Sequence, residues 1–205
     1  MPETVAFYID FKSPFAYLAV APARELERDF DVRLRWMPLT LDIPDYLESV
    51  ENRRAHNWRK IRYMYMDARR RANKVGLTIR GPQKIFDTRI ASIALMFARD
   101  KPGFDRFVDL TFERFFKREL DIENAGTMQA VLAEAGIEAS GFADYLAGAG
   151  SEQHDRERAE TEEAGIFGVP MLVVRDELFW GSDRIDLVRE RLAEYGLARP
   201  ARASA

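Results

Sequence analysis

The chain has 205 residues, 47% of them hydrophobic, enough to bury a substantial core as one domain or as one domain carrying a large insertion. Charged residues make up 32% but nearly cancel to a formal −3, so no global field draws the protein to nucleic acid or to anionic lipid. Cysteine is absent, which excludes disulfides, thiolate zinc sites, thiol nucleophiles and redox exchange by the chain alone.

The stretch from Thr4 to Asp10 is β-branched and aromatic with little polarity, as expected of a strand buried on both faces of a sheet. It begins without the basic and apolar regions of a signal peptide. No later run approaches the roughly 18 apolar residues of a membrane span, so the sequence reads as soluble and cytoplasmic. Phe11 and Lys12 form a short loop, and Ser13-Pro14 then signals a helix start: the serine oxygen caps free N–H groups, and proline suits the first helical position. This helix should end near Asp29. Asp31 to Met37 alternates polar with apolar residues, which gives a half-buried strand closed by Pro38 and completes a β-α-β unit.

From about Leu41 to Glu163 the pattern is helical, broken by Gly76, Gly81-Pro82, Pro102-Gly103, Gly126, Gly136 and the Gly148 to Gly150 stretch. Arg53 to Lys74 carries nine Lys or Arg against the single Asp67, interleaved with Trp58, Tyr63 and Tyr65. Ile61, Tyr65, Ala68 and Ala72 share one apolar stripe, which makes the basic side a solvated helix face and argues against a nucleic-acid surface. A sharper use of the same arginines, or of Lys60, is to draw a carboxylate-bearing ligand into a cleft. His56 and His154 have no flanking ligand pattern; they read as surface residues, with no metal site. Tyr8, Tyr17, Phe86 and Phe167 serve either as core or as the lining of an aromatic pocket.

After Gly165 the β character returns. Val169-Pro170 leads into Met171 to Val174, Arg175-Asp176 makes a turn, and Glu177 to Trp180 completes a hairpin ending at Gly181. A last helix, capped by Ser182 or Asp183, buries Ile185, Leu187, Val188, Leu192 and Tyr195 before Gly196 stops it. The tail from Arg199 to Ala205 should be disordered. The order β-α-β, helices, β-β-α describes an α/β protein of thioredoxin-like fold with a large all-helical insertion: residues 1–40 and 165–205 form the thioredoxin-like domain, and 41–164 the insertion domain.

The motifs narrow this further. The run Phe7-Tyr8-Ile9-Asp10-Phe11-Lys12-Ser13-Pro14-Phe15-Ala16-Tyr17-Leu18 resembles the opening motif of 2-hydroxychromene-2-carboxylate isomerases and kappa-class glutathione transferases, within the DsbA-like branch of the thioredoxin superfamily. Gly168-Val169-Pro170-Met171 and Phe179-Trp180-Gly181-Ser182-Asp183-Arg184 resemble their closing motifs. In the middle, Trp58 to Tyr63 keeps the family's Lys-x-x-Tyr helix, but Glu51-Asn52-Arg53-Arg54 lacks the family's prolines.

The resemblance implies glutathione as cofactor and a small aromatic or electrophilic substrate as partner, in the breakdown of aromatic compounds. Ser13, apart from capping its helix, would stabilise the glutathione thiolate. Val169, before a cis Pro170, would pair with the cysteinyl backbone, and Ser182 and Asp183 would receive the γ-glutamyl group. Asn52, by rough alignment, would touch the substrate. The implied activity is glutathione-dependent isomerisation of an unsaturated aromatic carboxylic acid. A kappa-like transferase or peroxidase and a non-catalytic thioredoxin-like binding module stand as alternatives, and relatives commonly form homodimers.

Overall fold

The computed structural model describes residues 1–41 and 55–200 and, within the first helix of the middle block, the side chains from residue 59 onward. Strand β1 (Glu3–Ile9) sends Val5, Phe7 and Ile9 into the core and leaves Ala6 and Tyr8 half-buried. It was expected to be closed on both faces. The second face is closed only by a small cluster of Leu39, Ile166, Val169 and Met171, against which Tyr8 packs. Helix α1 (Pro14–Asp29) and strand β2 (Val32–Pro38) follow as the β-α-β reading requires.

Among the described residues, six helices form the middle block: α2 (Ala55–Lys74), α3 (Arg89–Ala98), α4 (Phe104–Lys117), α5 (Ala125–Glu134), α6 (Phe142–Ala147) and α7 (Ala149–Glu163). Gly103, at φ +94°, heads α4 where a Cβ would fall 2.3 Å from the Ala135 carbonyl oxygen, so the turn between α3 and α4 accepts no side chain there. Strands β3 (Met171–Val174) and β4 (Glu177–Trp180) and helix α8 (Ile185–Glu194) close the chain. The sheet order is β2-β1-β3-β4, with β1 and β2 parallel and the other pairs antiparallel. Phe7 faces Trp36 on one neighbour and Leu172 on the other.

One continuous core joins this sheet to the helical block. Tyr17 of α1 stacks on Phe112 and Phe116 of α4 at centroid separations of 5.2 and 5.5 Å, and Phe11 meets Phe112 at 4.8 Å. Such pairs contribute about 0.5–1.5 kcal/mol each beyond their buried area. Burial, with Glu113 and Asp109 nearby, pushes the Tyr17 hydroxyl up to about 12. Tyr17 is therefore a core residue and stays neutral.

Four expectations change on contact with the structure. His154 is 2% exposed and not on the surface: its Nε2 lies 3.0 Å from Thr40 Oγ1 and its Nδ1 3.0 Å from Arg89 Nη1, partners 114 and 65 residues away. Helix α8 begins one or two residues later than read, with Arg184 at its N-cap position and no side-chain cap. The Arg184 N–H bonds instead to the Gly181 carbonyl at 3.1 Å, which makes Ser182 and Asp183 the interior of a turn. Leu187 is exposed while Ile185, Val188 and Leu192 are buried. Arg199 is tied down, its N–H donating to the Asp29 carbonyl at 2.9 Å beside a bridge between Phe30 and Ala198.

Candidate active site

The C-terminal ends of β1 and β2 meet the start of β3 and the end of β4 at one edge of the sheet. Met171 pairs with Tyr8 and with Trp180, so continuing the antiparallel register past Tyr8 runs Pro170 and Val169 alongside Ile9 and Asp10. The Gly181 N–H donates to the Pro170 carbonyl at 2.9 Å, which binds the closing motif to the same place. The fold thus gathers the two ends of the chain.

Ser13 is the N-cap of α1, its backbone extended and its Oγ accepting from the Ala16 N–H at 3.2 Å. A hydroxyl accepts through its lone pairs and donates through its one proton. Capping therefore uses a lone pair of the Ser13 hydroxyl and leaves its proton available to donate. Pro14 removes one N–H from the first turn, and no acidic side chain sits in that turn to compete with an anion for the helix end.

The Val169-Pro170 peptide bond is cis. Among the described residues neither the N–H nor the C=O of Val169 enters a backbone hydrogen bond. Ser182 is 9% exposed, and its Oγ is buried without a hydrogen-bond partner, as is that of Thr88. An orphaned buried hydroxyl costs about 1–3 kcal/mol unless something meets it. Asp183 is exposed and its carboxylate takes a 2.9 Å bond from Arg184. Asn52 lies outside the described residues.

Two further residues enter this site that the sequence reading left without a role. Asp10 and Lys12, 1% and 8% exposed, form an ion pair at 3.4 Å immediately before Ser13. Lys12 Nζ also donates to the Phe86 carbonyl at 3.3 Å. Their signal was visible as two charges inside an otherwise apolar run after a buried strand. Phe86 is half-buried, meets Phe115 edge-on at 5.2 Å, and with Phe115, Arg80, Arg118, Glu119 and Asp121 lines a cavity of about 300 Å³. Phe167 is not a core residue; it is 57% exposed and packs against Trp180 at 4.9 Å.

The basic helix α2 turns Ala68 and Ala72 into the core, keeps Ile61 and Tyr65 half-buried, and exposes Arg59, Lys60, Arg62, Arg69 and Arg70. That is the solvated face read from its spacing. Among the described residues no group of His, Asp or Glu could hold a metal ion, and no helix is long and apolar enough to cross a membrane.

A family model for the DSBA-like thioredoxin domain matches residues 4–193. A 2-hydroxychromene-2-carboxylate isomerase from Sphingobium xenophagum is 28% identical over 95% of this chain and 100% of its own length. The isomerase of the same name from Pseudomonas putida is 24% identical over 92% of this chain and 93% of its own. Among solved structures, that of a 2-hydroxychromene-2-carboxylate isomerase superposes with a TM-score of 0.77 at 23% identity, covering 94% of this chain and 96% of that one.

Proposed function

The chain belongs to the DSBA-like thioredoxin domain family, and from that premise we propose that it is a glutathione-dependent isomerase of an unsaturated aromatic carboxylic acid, resembling 2-hydroxychromene-2-carboxylate isomerase. The observation that supports the reading is that the strand register brings, to one edge of the sheet, three groups from opposite ends of the chain with hydrogen-bonding capacity left over. These are the spare Ser13 O–H, the unpaired Val169 backbone and the orphaned Ser182 hydroxyl.

Those groups fit the parts of glutathione. The Val169 N–H and C=O suit a peptide backbone laid alongside as an added strand. The buried Ser182 hydroxyl and its turn suit a carboxylate, and the exposed Asp183 an ammonium. Ser13 and the first turn of α1 suit a sulfur anion: helix N-termini lower a thiol from about 8.5 to about 3.5–7.5, so a thiolate forms at neutral pH without a separate base. Glutathione, when bound, supplies a nucleophile that adds reversibly to a conjugated double bond, frees it to rotate and departs unchanged. The protein's part is to hold the sulfur charged and to keep the acid beside it; Phe86 and Phe115, with the guanidiniums of Arg80 and Arg118, offer aromatic walls and positive charge for such a substrate.

Calorimetric titration with glutathione tests binding, and heat with a rise in melting temperature is expected. Absence of both at millimolar ligand would end the reading. With binding established, the Ser13→Ala variant should lose the thiolate absorbance of the bound cofactor at neutral pH. Absorbance change with a chromene carboxylate, against a stable adduct with a general electrophile, then separates isomerase from transferase.

A further inference from the structure

We propose that the buried Asp10–Lys12 ion pair is the positioning device of the Ser13 site, fixing three chain segments around the first turn of α1 and cancelling a carboxylate that would otherwise oppose a sulfur anion there. The inference deepens the glutathione reading, which supplies only the source of the sulfur.

Asp10 spends all of its acceptors locally. Oδ1 takes the Lys12 N–H at 3.1 Å, Oδ2 takes the Leu41 N–H at 2.8 Å with Lys12 Nζ at 3.4 Å, and the Asp10 carbonyl takes the Ser13 N–H at 2.9 Å. Lys12 Nζ then reaches the Phe86 carbonyl at 3.3 Å. One buried pair therefore joins the loop that carries Ser13, the segment leaving β2 and the loop that carries Phe86.

From α2, Tyr65 faces Asp10, and its hydroxyl is pushed up first by burial and then by that carboxylate, so it stays neutral. Before α5, Glu123 is held low first by its hydrogen bond to Lys84, with a weaker pull from Lys12. Among the described residues, Asp10 is paired with Lys12 and Glu123 with Lys84. Removing Lys12 would leave one negative charge, buried, three residues before Ser13, whose N–H bonds to the Asp10 carbonyl; a fixed charge within about 4–6 Å moves a titrating group by about 1–3 units.

The chain has no cysteine, so Ser13→Cys installs a single thiol at the helix head and reads this electrostatic claim without glutathione. Titrated by its far-ultraviolet thiolate absorbance, that thiol should rise by about one unit when Lys12→Met is added and stay in place with Lys12→Arg. Asp10→Asn together with Lys12→Met should bring it back. A thiol that does not move in a folded Lys12→Met protein overturns the proposal. Should Lys12→Met fail to fold, Asp10→Asn alone must titrate lower than the double variant, and equal values overturn the proposal as well. Because no glutathione enters these titrations, their failure is separate from a failure to bind it.

Discussion

The segment leaving β2 is held at Leu41 by a buried ion pair and, one residue earlier, at Thr40 by a buried neutral histidine. At Leu41 the partner is Asp10, whose charge Lys12 offsets. At Thr40 the arrangement follows from donor and acceptor counting. Arginine can only donate, so Arg89 fixes His154 Nδ1 as an acceptor; Nε2 then carries the proton and gives it to Thr40 Oγ1, which passes its own to Ser92 Oγ at 3.0 Å. Burial first, and Arg89 second, keep His154 below its ordinary value and therefore neutral. Both clusters anchor the same stretch of chain and both hold an ion pair, Asp10 with Lys12 and Arg89 with Asp155, but only the one beside Ser13 buries both of its charges. Beside Ser13 a buried carboxylate is balanced by a buried ammonium; at Thr40 the ion pair lies toward the surface and a directional chain of hydrogen bonds through a neutral histidine reaches inward.

That contrast can be broken at its charged end with the largest effect. Lys12→Met leaves Asp10 buried and unpaired and should cost about 3–5 kcal/mol in denaturant unfolding. At the neutral end, Thr40→Val strands the His154 N–H and the Ser92 hydroxyl, and the same measurement should show about 1–2 kcal/mol. The third test is pH. Unfolded, His154 titrates near 6.5; folded, it titrates lower, so the unfolded chain binds the proton first. Its contribution to stability is complete above pH 6.5 and is lost as pH falls from there toward the depressed folded value. Unfolding measured across that window should show a slope in the native protein that His154→Gln flattens. The smallest effect has the opposite sign: Ser182→Ala removes a hydroxyl with no partner and should raise stability by up to about 1 kcal/mol while weakening glutathione binding, seen by melting with and without ligand.

The difference between the two clusters also marks what the sequence could disclose. Local signals were legible: Ser13-Pro14 as a cap, the alternation from Val32, the hairpin after Pro170 and the stripe of Ala68 and Ala72 all rest on residues a few positions apart. The partners of Asp10, Lys12 and His154 lie 31, 74 and 114 residues away, and no spacing rule reaches that far. His154 therefore looked like a solvent residue until Thr40 and Arg89 were brought to it. The Ser182-Asp183 pair failed for a shorter reason. A Ser-Asp before an apolar repeat reads as a cap, but the turn closed by Gly181 and Arg184 consumes both positions before the helix begins, and so frees the serine hydroxyl that a cap would have occupied.

Trp180 stands against this edge so closely that its Nε1 lies 2.8 Å from where a Cβ on Gly168 would be, one residue before Val169. Its ring remains 47% exposed, whereas Trp36 is enclosed between Phe7 and Phe104. The two indoles therefore sit in different surroundings, 47% and 5% exposed, and should emit at different wavelengths. A molecule settling beside Val169 should dry Trp180 and leave Trp36 untouched, so a blue shift of emission lost in a Trp180→Phe variant, with Trp36 and Trp58 kept, would report occupancy of this edge.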